Sequence, residues 1–246
     1  MPFDPDTAIG GPRDRFPSTR LSLIETASVP GALREEALEQ VVALYWKPVY
    51  KYIRLKWNKS NEEAKDLTQG FFAVALMRGF FRAFDPSQAS FRTYLRMALD
   101  RFLANEHAAA RREKRGGDVT FMSLDFAAAE AEAVECRVGD SPEEMFQREW
   151  RREIFALAID DLRRHCEDTG KQLQFRVFKS YDLADEERPS YAELAERLGI
   201  TVTALNNHLA WARRMLRGFV GERLRGVTGG DAELRDEMRS IFSPGR

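Results

Sequence analysis

Hydrophobic positions recur at helical spacing along most of the chain. Leu33, Ala37, Leu38, Val41, Val42, Leu44 and Tyr45 form a broad apolar stripe, with Glu35, Glu36, Glu39 and Gln40 on the opposite side. Pro48 falls inside that pattern. Proline is tolerated in a helix's first turn and not in its middle, so the sequence predicts that Pro48 opens a second helix over 48–56. A third helix is expected from Asn61, whose side chain can cap it, with Glu62, Glu63 and Asp66 where the helix dipole favours acid. It carries Leu67, Phe71, Phe72, Ala75 and Leu76 and stops near Gly79. The loop 84–90 (FDPSQAS) leads to a fourth helix over about 91–112. Further on, Ser141 or Asp140 can cap and Pro142 can open a long helix to about Cys166, followed by one over 172–181.

The sharpest local pattern is 191–216, YAELAERLGITVTALNNHLAWARRML. Leu194, Ala195 and Leu198 make one short stripe, Gly199 stands where a left-handed residue stops a helix, and Leu205, Leu209, Ala212 and Leu216 resume the stripe. This is helix-turn-helix spacing: small Ala195 lets the second helix cross closely, Gly199 makes the turn, and Leu205 plugs the space between. A plain helical hairpin has the same pattern, so the rest of the chain must decide. After Arg225 comes a Gly-rich stretch and a charged tail able to form one short helix. No strand pattern or internal repeat occurs, and the fold class is all-α.

Composition narrows the picture. The chain has 246 residues, 38 basic against 39 acidic, and a net charge of −1. Any attraction to phosphate must therefore come from local clustering. Such clustering exists between Phe91 and Gly117, where Arg92, Arg96, Arg101, Arg111, Arg112, Lys114 and Arg115 face only Asp100, Glu106 and Glu113. Phe91, Tyr94 and Phe102 are interleaved, a mixture that can hold phosphates while bases stack; taken singly, the three read as core. Cys136 and Cys166 form no CxxC and fit a reducing cytoplasm, and no apolar run is long enough to span a membrane. Residues 1–17 read as a disordered leader, and the acidic, Ala-rich 116–141 as a flexible linker at a domain boundary.

The ordered set DLTQGFF, FDPSQASFRTYLRMALDRFLANE, a basic RREKRGG, a linker and a C-terminal YAELAERLGI with ALNNHLAWARRMLR resembles bacterial RNA polymerase sigma factors of the sigma-70 family, extracytoplasmic-function (ECF) type. The resemblance covers about 33–224. It implies two small helical domains, 18–115 and 142–225, joined by the 116–141 linker, with 226–246 as a polar tail. It also implies two partners, core RNA polymerase (the largest-subunit coiled coil and the beta flap) and promoter DNA. Asp66, Leu67, Gln69 and Phe72 correspond to the face that docks on the coiled coil, although Leu67 and Phe71 on their own read as domain core. Ser90, Phe91, Arg92, Tyr94, Arg96, Arg101, Asn105, Arg111, Arg112, Lys114 and Arg115 correspond to the part that opens the minus-ten element and holds a flipped base. Thr201, Thr203, Asn206, Asn207, His208, Arg213 and Arg214 correspond to the reader of the minus-thirty-five element.

The chain departs from the family pattern in places. Tyr94 stands where relatives often have Trp and Arg101 where many have Asn; Asn206, Asn207 and His208 replace a Lys-Ser-Arg-like run. Lys65 and Gly70 stand where acids are common, with Thr68 beside them, so phosphorylation of Thr68, adding about −1.5 to −2 charge, is an expected route to activation by a Ser/Thr kinase in place of an anti-sigma factor. His208 reads as a polar face residue, since His165 and Cys166 offer no matching ligand set; no metal or cofactor is expected. The carboxylates and three histidines show no nucleophile-base pair and no phosphate loop, so the chain is not expected to be an enzyme. A helix-turn-helix regulator acting without polymerase and a purely scaffolding protein remain as other readings.

Overall fold

A computed structural model describes residues 23–77, 79–110, 124–126, 129, 141–184 and 188–242. The expected leader lies outside the described residues, as does most of the expected linker. The described residues form α1 (Leu23–Ser28), α2 (Arg34–Lys56), α3 (Asn61–Met77), α4 (Phe91–Ala110), α5 (Pro142–Asp168), α6 (Gln172–Asp182), α7 (Tyr191–Leu198), α8 (Val202–Arg225) and α9 (Asp231–Phe242), with no strand among them.

Local chemistry sets most helix starts. Ser141 and Ser190 each cap a helix reciprocally: the Ser hydroxyl accepts from the backbone N–H of Glu144 or Glu193, and that Glu's carboxylate accepts from the Ser N–H. The same box opens α3, where Ser60 N–H donates to Glu63 at 3.0 Å and Glu63 N–H donates to Ser60 Oγ at 3.3 Å. The cap is thus Ser60; Asn61 instead accepts from Tyr50 Oη at 2.9 Å. Hydrogen bonds from the Ser60 backbone and hydroxyl, with Lys59 beside them, hold the Glu63 carboxyl down at about 2.

Pro48 does not open a second helix. It lies inside one continuous α2, where the missing N–H leaves the Leu44 carbonyl without its intrahelical partner. Burial outweighs that loss. Val41, Tyr45, Val49, Tyr52 and Ile53 are all sealed, and α1, α3 and α5 pack around α2, which makes it the central helix. α5 links two regions. Its first half lies along α2, with Phe146 edge-on to Tyr52 at 5.7 Å, Lys51 Nζ 2.5 Å from Glu149 and Lys47 Nζ 3.1 Å from Glu153. Its second half packs on α8, where Arg223 forms a two-pronged bond to Asp161 at 2.8 Å and His165 stacks near Trp211.

One apolar core therefore runs from α1 to the second half of α8, and Phe126 of the expected linker belongs to it, 5.3 Å from Trp46 and from Tyr50. The helix-turn-helix keeps a separate small core of Val177, Leu194, Ala195, Leu205 and Leu209. Gly199 has φ +66°, Gly199 N–H bonds to Glu196 O, and Ile200 N–H bonds to Ala195 O at 3.0 Å, the two bonds that close a helix end at a left-handed residue. No described helix is long and apolar enough to cross a membrane.

Candidate functional site

α4 is capped by Ser90, whose hydroxyl accepts from Thr93 N–H at 3.3 Å. Phe91 is fully buried among Tyr45, Phe81 and Phe84, so it serves the core. Tyr94 is half-buried, stacked on Phe80 at 4.7 Å, and its hydroxyl donates to the Phe80 carbonyl at 3.0 Å; burial pushes its phenol above the ordinary tyrosine range. Phe102 is half-buried beside Phe71, and a Cβ on Gly70 would meet its ring at 3.4 Å. Gly70, which the sequence marks only as a missing acid, thus makes room for Phe102. Before the helix, Asp85 accepts from Ser87 Oγ, Ser87 N–H and Gln88 Nε2, bonds that tighten the loop and hold this carboxyl below its usual range.

The basic residues of α4 differ in what they touch. Arg101 and Asn105 are exposed. Arg92 bonds to Glu237 of α9 at 2.8 Å, with its guanidinium 4.2 Å over the Trp150 ring. Arg96 bonds to Glu143 of α5 at 2.7 Å. Glu143 is held below the usual carboxylate range: burial works to raise it, and its own backbone N–H, Lys56 and Arg96 outweigh that. Asp100 faces inward and accepts from Tyr52, Lys56 and Trp57. Arg111, Arg112, Lys114 and Arg115 lie outside the described residues.

On α3, Asp66 is exposed and Leu67 and Gln69 are half-buried. Phe72 is only 2% exposed and edge-on to Phe71, so its ring fills the chain's own core and is not presented as a surface anchor. Thr68 is 0% exposed, and its hydroxyl donates to the Ala64 carbonyl at 2.7 Å; it does not face solvent.

On α8, Thr201 is the N-cap, accepting from Ala204 N–H at 3.1 Å. Thr203, Asn206, Asn207 and Arg214 are exposed, and His208 is half-buried. Arg213 forms a two-pronged bond to Asp182 at 2.7 and 2.8 Å, which occupies its guanidinium within the chain and raises its pKa further. Sequence reasoning missed Asp182, Glu143, Trp150 and Glu237. Each meets its arginine from another helix, a relation with no signal in local spacing. Among the described residues no group of His, Cys, Asp or Glu is arranged to hold a metal ion.

The family model described as ECF sigma factor matches residues 35–220, from the first turn of α2 into α8. No curated protein and no solved structure matches the chain.

Proposed function

The chain belongs to the ECF sigma factor family, whose members serve as alternative sigma factors in transcription initiation, and we propose the following division of labour along it. The outer face of α3, exposed Asp66 with half-buried Leu67 and Gln69, docks on the largest-subunit coiled coil of core RNA polymerase, and the helix-turn-helix end meets the beta flap. The loop before α4 and α4 itself hold the melted minus-ten strand, Tyr94 by stacking and Arg92, Arg96 and Arg101 through phosphates. α8 enters the major groove of the minus-thirty-five element, with Asn206 and Asn207 suited to adenine edges and Thr203 to a phosphate or thymine methyl. Arg213, already bonded to Asp182, orients this helix more than it reads bases.

The observation that carries this reading is the exposed row Thr203, Asn206 and Asn207 on the first turns of α8, directly behind the Gly199 turn. Run-off transcription with purified core polymerase and pooled promoter fragments tests it, and no start site with active core would overturn it. An Asp66→Lys chain is expected to bind core at least tenfold more weakly with an unchanged melting temperature, because the carboxylate is exposed and makes its contact only in the complex. Equal affinity would remove α3 as the docking face. A regulator acting without polymerase would bind duplex DNA and retain no core in a pull-down.

Regulation by an anti-sigma factor or by a Ser/Thr kinase both fit the family. A kinase reaches Thr68 only when α3 lifts from its neighbours, because the hydroxyl is sealed. Thr68→Glu is therefore expected to speed hydrogen exchange in α3 and to tighten core binding; unchanged core affinity would remove Thr68 from this scheme.

A further inference from the structure

Two of the arginines assigned to the minus-ten strand, Arg92 and Arg96, are held by carboxylates of the same chain. Glu237, 145 positions after Arg92, meets it at 2.8 Å, and the two side chains are only 12% and 16% exposed. A second contact joins the same segments. Gly229, just before α9, lies so close to the minus-ten loop that a Cβ there would stand 2.8 Å from Pro86 Cβ. Gly229 N–H donates to Glu233 at 2.7 Å, and Glu233 and Glu237 are one helical turn apart on α9. The turn into α9 thus sits on the loop, and the helix sits on the first arginine behind it.

We propose that α9 is a cover on the promoter-melting surface, seated by Gly229 on Pro86 and by Glu237 on Arg92, which the single strand of the melted minus-ten element displaces. The proposal rests on the minus-ten reading of α4.

Burial decides which element leaves. α9 contributes no buried residue, whereas α5 contributes nine and is pinned to α2 by Lys51 and Glu149. The helix with the least sealed surface is the one that opens at lowest cost. α5 stays, and Arg96 keeps Glu143 as its partner after α9 has gone. Charge decides what replaces α9. Glu237 gives Arg92 one oxygen and leaves the other without a partner. A phosphate can accept both prongs of the guanidinium, so the DNA backbone takes the same position with better geometry. Trp150 already holds that guanidinium flat, so Arg92 does not need to be reordered to meet the strand.

The test uses the full chain and a fluorescent, short single-stranded DNA of random sequence, read by anisotropy. Glu237→Gln and Gly229→Val weaken the two seats separately, and each is expected to bind about tenfold more tightly than wild type, because a larger fraction of chains is open. Asp236→Asn makes the same charge change on the outer side of α9, where Asp236 pairs with exposed Arg239, and is expected to leave affinity unchanged. In wild type, adding the DNA is expected to speed hydrogen exchange across 231–242. Two results would overturn the cover: neither seat variant gains affinity over Asp236→Asn, or amides of 231–242 already exchange at unfolded rates in the free wild-type chain. If the seat variants gain nothing while run-off transcription proceeds, the cover alone falls. If they gain affinity while no promoter is used with active core, α9 still covers a strand-binding surface, and the minus-ten reading of that surface falls.

Discussion

Replacing Glu149 with alanine is expected to destabilise the chain by about 3–5 kcal/mol, because it removes the buried carboxylate that pairs with the sealed Lys51 ammonium. Lys51 is 0% exposed and Glu149 5%, and their 2.5 Å contact joins α2 to α5 at the centre of the continuous core. Water cannot reach the sealed ammonium to take the place of the lost carboxylate. For a chain of this size each kcal/mol is worth about 2–4 °C, so the melting temperature is expected to fall by on the order of 10 °C. A joint Lys51→Met and Glu149→Leu replacement, which removes both charges and keeps the volume, is expected to recover most of the loss. A single mutant within about 1 kcal/mol of wild type would mean that Lys51 reaches solvent and that α5 is not fixed to α2 as described.

Much of the architecture was legible because short-range chemistry sets it. Ser141 and Pro142 mark the start of α5, and Gly199 marks the turn between α7 and α8, within a few residues of the elements they control. Leu205 was readable as the plug of that pair for the same reason. Where tertiary burial outweighs a local signal, the reading failed. Pro48 is a helix breaker by itself, yet α2 continues through it because the packing of α1, α3 and α5 buries residues 44–46 and 48–53 around it. Phe126 sits in an acidic, Ala-rich stretch that reads as linker, and only the space between Trp46 and Tyr50 explains its burial.

The candidate site divides the same way. Which residues α3, α4 and α8 carry follows from periodicity, but which of them remain available depends on partners far along the chain. Phe72 and Phe91 have the same hydrophobic character whether they anchor a partner or fill a core, and both are taken by the core. Arg213 and Arg92 read as free DNA contacts until Asp182 and Glu237 are placed against them. The acidic tail helix was visible as a charged segment; its position beside the 84–90 loop depends on the packing of α8 and α9 against α5.

Leu205→Ala is expected to separate folding of the helix-turn-helix from reading by it. Leu205 is fully buried in a core of only five sealed residues, so truncation removes a large share of what holds α7 to α8 and leaves a cavity costing about 2–5 kcal/mol. The main core lies elsewhere, with a different set of residues, and its stability is expected to change little. Hydrogen exchange should therefore rise across 191–209 while α2 and the first half of α5 stay protected, and binding to duplex minus-thirty-five DNA should be lost. Binding of single-stranded DNA to the α4 surface should survive. Asn206→Ala offers the contrast: the residue is exposed, so stability should stay within about 0.5 kcal/mol, while discrimination at one base pair weakens by about 1–3 kcal/mol. If Leu205→Ala instead loosened α2 as readily as α7, the two cores would form one cooperative unit. In that case the helix-turn-helix could not move independently of α2 and α5.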